Sequence, residues 1–143
     1  MKSMQTHYPT VFVDGAYLPS TEARVSIFDR GFLMSDGVFE TLHVQQGVPL
    51  HLEAHFTRLR RSASALSMDV PWSDERLREM IRGLIERNLL SSLRAPDAAL
   101  RITLTRGIEV SGTPTLVMTL RRLTSGHLAK RSDGVHLFGL RNL

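Results

Sequence analysis

Apolar residues along this chain alternate with polar ones in some stretches and recur every three to four positions in others, and each block predicts one element. "VFVDGAYLP" sets Asp14-Gly15 between two short apolar runs, which reads as a tight hairpin with a strand on each side. Val38 to Gln46 alternates and ends at Gly47, with "VPL" beyond it, so a second hairpin is predicted. From Leu52 the period changes. Leu52, Phe56, Leu59, Ala63 and Leu66 recur at helical spacing, and Arg58, Arg60 and Arg61 spread over the remaining surface. "VPWSDERLREMIRGLIERNLL" predicts a second amphipathic helix. Ser73 is its cap, acids fill its first turn, and Leu77, Met80, Ile81, Leu84, Ile85 and Leu89 form its buried stripe.

"ALRITLTRG" and "TPTLVMTLRRL" are rich in β-branched residues, show period two and flank a short "IEVSG" loop, so they read as an antiparallel pair. "TSGHLAKRSDG" is a polar linker, and "VHLFGL" reads as one further strand. Strands, two helices, then strands predict an α+β fold: a mostly antiparallel sheet covered on one face by two helices. That order argues against a doubly wound nucleotide fold.

Composition narrows the function classes. The 143 residues suit one domain with a modest core, and no repeat or low-complexity segment interrupts them. With no cysteine, disulfides and thiolate metal sites are excluded, which fits the reducing cytoplasm. The first residues lack the apolar core of a signal peptide, and no apolar run reaches bilayer length, so no membrane association is expected. The net charge of +4 is carried almost wholly by arginine, with Lys2 and Lys130 the only lysines. The arginines are not interleaved with aromatics in a stacking pattern, which argues against a nucleic-acid partner.

Chemistry concentrates around "DRGFLMSDGVFETLHV", where two acids, an arginine and two glycines precede an alternating strand. In that strand Phe39, Thr41 and His43 share one face, and Val38, Glu40, Leu42 and Val44 share the other. The first set offers an aromatic ring, a hydroxyl and an imidazole to a ligand, though a half-exposed face would look the same. Arg58 lies one turn after His55 on the first helix, where a guanidinium can grip a phosphate or simply solvate the surface. "HLEAH" spaces His51 and His55 for a shared metal, but no third ligand is evident and no metal site is expected. No phosphate loop, Gly-x-Ser-x-Gly elbow or Gly-x-Gly-x-x-Gly turn is present.

"VDGAYLP", "DRGFLMSDGVFETLHV", "HFTRLRRSASAL" and "LTRG", in this order and at these separations, resemble the N-terminal domain of the class IV aminotransferases. These are fold-type IV pyridoxal-phosphate enzymes that include branched-chain and D-amino-acid aminotransferases and aminodeoxychorismate lyase. The resemblance runs from about Val11 to about Leu140. It implies an N-terminal domain over residues 1–123, with 124–143 as linker and start of a catalytic domain. It also implies pyridoxal 5'-phosphate as cofactor, an amino acid and a 2-oxo acid as substrates, and a homodimer.

Arg58 matches the family's phosphate-gripping arginine, and Phe39 falls where the family places a substrate-facing aromatic, with Thr41 and His43 following on the same face. Two departures stand out: Met34-Ser35 replaces a common aromatic-glycine pair, and the loop from Arg106 to Pro114, from which many relatives bring ligands for the substrate carboxylate, is short. The family's Schiff-base lysine follows the strand that "GVHLF" resembles, which places it beyond Leu143, and its pyridine-pairing glutamate lies later still. Lys130 precedes that strand and does not match, so residues 1–143 alone are expected to lack a catalytic lysine and not to transaminate. A non-catalytic dimerisation or binding module is the rival expectation.

Overall fold

In the computed structural model, residues 7–89 and 96–123 are described, and the linker and final strand expected over 124–143, like Lys2 and Lys130, lie outside them. The expectation that the catalytic lysine falls beyond Leu143 concerns that same end of the chain and so also lies outside the described residues. The hairpin around Asp14-Gly15 forms β1 (Thr10–Val13) and β2 (Ala16–Pro19). Its two turn residues both take positive φ, which matches the twist of the flanking strands. A second such turn, Gln46-Gly47, joins β3 (Gly37–Gln45) to the two-residue β4 (Val48–Pro49). The helices α2 (Leu52–Ala65) and α3 (Asp74–Leu89) follow, then β5 (Ala98–Thr105) and β6 (Thr115–Arg122). Between β2 and β3 lies one element that periodicity did not reveal, α1 (Arg30–Met34). Five residues make barely more than one turn, too few for a helical repeat to register.

The six strands form one sheet in the order β2-β1-β6-β5-β3-β4, every neighbouring pair antiparallel. Helix α2 packs on β3 and α3 on β1 and β6, so both long helices cover the same face, as the sequence predicted. The core lies between these layers. Leu42 and Val44 of β3, Leu100, Ile102 and Leu104 of β5, and Leu116, Met118 and Leu120 of β6 meet Phe56, Leu59 and Ala63 of α2 and the Leu77, Met80, Ile81, Leu84, Ile85 stripe of α3. Ser73 accepts from the amide of Arg76 and caps α3 as expected. Leu66 is a correction: it sits at the C-cap of α2, outside the buried stripe, and is exposed. The helix ends one residue before the pattern would have carried it inward.

β3 has an unusual position. It pairs with β5 along its full length, but on its other side only Val44 and Gln45 meet β4. Among the described residues, Gly37 to Leu42 therefore present an open strand edge. At the far end of β5, Gly107 turns the chain with φ +82°, and a Cβ there would lie 2.3 Å from the Thr113 carbonyl oxygen. Gly107→Ala should cost about 2 kcal/mol, from left-handed strain plus the clash, and a lowered urea midpoint at unchanged slope would register it.

Candidate functional site

The acid-rich stretch before β3 is a structural frame. Asp29 is buried although charged, and its two carboxylate oxygens accept from the Gly31 amide at 2.8 Å and the Thr105 hydroxyl at 2.8 Å. The first bond caps α1 and the second ties that turn to the end of β5. Asp36 Oδ2 accepts from Arg106 Nε at 2.8 Å and from Arg30 Nε at 2.9 Å. Hydrogen bonds from Arg106 and then Arg30 hold the Asp36 carboxyl below its usual range despite partial burial. Arg106 is fully engaged, because Nη1 and Nη2 donate to the carbonyls of Ser67 and Leu66. The frame aims α1 outward, leaving Ile27, Phe28, Phe32, Leu33 and Met34 exposed.

On the helix-covered face of β3, Glu40 replaces the aliphatic residue that its neighbours Leu42 and Val44 would suggest, and its side chain is only 2 % exposed. Arg58 of α2 meets it with a side-on fork, Nε donating to Oε1 at 2.7 Å and Nη2 to Oε2. His55, one turn earlier, brings Nδ1 to within 2.7 Å of Oε2. A carboxylate can only accept, so that nitrogen carries the proton and donates. Burial alone would raise the Glu40 carboxyl, but the bonds from Arg58 and His55, with their charges, outweigh it and hold the group below its ordinary value. The pairing with Glu40 in turn raises Arg58. His51 stands at the N-cap of α2, apart from this cluster.

On the opposite, helix-free face, Phe39 is 57 % exposed and carries the Arg101 guanidinium 3.8 Å above its ring. Thr41 lies opposite Arg101 in register. His43 is further along the strand, where Nε2 contacts Asp97 at 2.8 Å. The strand thus groups Phe39, Thr41 and His43 on one face and places Arg58 on the other, with the open edge of β3 between them. A ligand touching both sets must cross that edge. No lysine lies among the described residues.

Residues 37–141 match the family model for amino-transferase class IV. This chain belongs to the class IV aminotransferases. A D-alanine aminotransferase of Staphylococcus aureus is 33% identical over 98 residues, which are 68% of this chain and 33% of that protein. The aminodeoxychorismate lyase of Bacillus subtilis is 30% identical over 139 residues, covering 92% of this chain and 46% of the lyase. In structure the chain is similar to a hypothetical aminotransferase from Mycobacterium tuberculosis in its PLP-bound form. The TM-score is 0.78 at 30% identity, covering 87% of this chain and 43% of that one. The chain therefore spans a third to a half of the relatives' length.

The class IV aminotransferase match begins at Gly37, the first residue of β3, and so contains the whole Glu40 cluster and Arg101. Reading the sequence alone set Arg58 one turn after His55 but did not bring Glu40 to them or Arg101 to Phe39. One signal was present: a carboxylate at an otherwise aliphatic strand position must find a cation or stay out of the core. Arg101 left none, because its place diagonal to Phe39 depends on how β3 and β5 pair.

Proposed function

We propose that this chain is the N-terminal part of a pyridoxal-phosphate-dependent class IV aminotransferase that moves an amino group between an amino acid and a 2-oxo acid, with its Schiff-base lysine beyond Leu143. One observation carries this reading beyond family membership. Arg58 commits Nε and Nη2 to Glu40, with Nη2 also 3.4 Å from His55 Nδ1, and no described residue accepts from Nη1, which leaves the Nη1 N–H groups for a phosphate. That donor set fits the phosphate of pyridoxal phosphate, with Arg58 as its holder. The cofactor, when bound, supplies an electron sink for the substrate α-carbon.

Phe39, Thr41 and His43 line the substrate side. Arg101 holds a cation over the Phe39 ring with, among the described residues, only Nε committed, to Thr103 Oγ1 at 3.3 Å, which suits an anionic substrate such as a carboxylate. The exposed Phe32, Leu33 and Met34 of α1 support a homodimer that covers them, in the cytoplasm that a cysteine-free chain suits. A second reading is aminodeoxychorismate lyase, favoured by the longer extent of that match.

Titration of the purified chain with pyridoxal 5'-phosphate, followed by visible absorption, tests the phosphate reading. Binding should saturate and yield to inorganic phosphate, and pyridoxal lacking the phosphate should bind about tenfold or more weakly. Borohydride reduction should leave no cofactor on Lys2 or Lys130 in the peptide map. Phosphate-independent binding would refute that reading, and a stable adduct on Lys130 would refute a Schiff-base lysine beyond Leu143.

A further inference from the structure

Two arginines of the fold have all three guanidinium nitrogens engaged. Arg106 donates from all three nitrogens to Asp36, Ser67 and Leu66, and Arg60 divides its own among Asp74 and the carbonyls of Val70 and Trp72. Arg58 differs in being fastened along one side only, and to an acid far more buried than itself: its side chain is 54 % exposed where that of Glu40 is 2 %. An exposed acid would pair with Arg58 at no desolvation cost, so burial of the carboxylate is an expense that the ion pair itself does not require. Burial adds fixity. Glu40 is held in a strand interior between Phe39 and Thr41, Arg58 occupies both carboxylate oxygens, and the His55 N–H occupies Oε2 a second time. The carboxylate cannot turn, and neither can the guanidinium forked on it.

We propose that Glu40 is the positioning residue for Arg58, and that with His55 it presets the guanidinium so that its outward N–H groups meet a phosphate monoester without rearrangement. This rests on the reading of Arg58 as the phosphate holder and extends it to the two residues behind it. A free arginine surrenders rotamer freedom when it grips an anion, whereas Arg58 has surrendered it on folding. The phosphate therefore binds to donors already in place.

The experiment compares the affinities of pyridoxamine 5'-phosphate and pyridoxamine for the full 143-residue chain. Glu40→Gln and the double variant Glu40→Gln/Arg58→Gln, which leaves no buried charge unpaired, are measured beside it. The ratio of the two affinities isolates the phosphate because the ring is common to both. Glu40→Gln should lower the ratio about tenfold with pyridoxamine affinity unchanged, and the double variant should bring it near one. A ratio kept in Glu40→Gln but lost in the double variant overturns the positioning role and leaves Arg58 as the phosphate holder. A ratio near one in the unaltered chain, or kept in the double variant, overturns both. Should Glu40→Gln fail to fold, the Arg58 Nε–H resonance of the unaltered chain decides. A single, slowly exchanging signal before any phosphate is added supports preset geometry, and a rapidly exchanging one overturns it.

Discussion

Arg58→Ala is expected to strip the buried Glu40 carboxylate of its main partner and to lower the urea midpoint at neutral pH, although the His55 bond to Glu40 survives. The pH dependence identifies the cause. In the unaltered chain the Glu40 carboxyl sits below its ordinary value of 4.5, so it contributes stability above that pH and loses it as pH falls through the lowered value. Removing Arg58 deletes the main influence opposing burial, and the carboxyl then rises above its ordinary value. A group raised in the folded state favours the fold when protonated, so the variant should regain ground on acidification while the unaltered chain does not. Urea unfolding at about pH 7 and about pH 5 should show the gap between the two proteins narrowing at the lower pH. A gap that stays constant would mean that Glu40 does not carry the charge assigned to it.

The same cluster marks where sequence reading stopped short. Long elements were legible because their periods were: the α3 stripe from Leu77 to Ile85 is buried as its spacing required, and β5 and β6 pair along eight residues each. Turn chemistry at Asp14-Gly15 and at Gly47 was legible because few residues tolerate those backbone angles. α1 was not, since Asp29 builds it from a cap and a bond to Thr105, a residue 76 positions away. Arg58 stood out only through family resemblance, because an arginine on an amphipathic helix carries no mark of what it holds. Its partner Glu40 was in view on the strand, but the helix that pairs with it becomes adjacent only when α2 folds back over β3. Long-range pairing is the information that a local pattern lacks.

Phe56→Ala and Phe39→Ala should separate core from site by the size of their effects. Phe56 is 1% exposed on the inner face of α2, packed against the sheet, and its loss should cost about 3–5 kcal/mol from lost burial plus the cavity left behind. Phe39 lies on the other side of the same sheet, and removing a ring that remains largely in water should cost about 0.5–1 kcal/mol, mostly the contact with Arg101. Urea midpoints measured side by side test both. Protein interiors select phenylalanine for burial, so a ring kept on an open face at so little structural gain needs another reason to be there. If Phe39→Ala proved as costly as Phe56→Ala, the helix-free face would be a second core surface, and the substrate side proposed for it would lose its main support. If the cost stays small while pyridoxamine 5'-phosphate affinity falls, the ring belongs to the ligand and not to the fold.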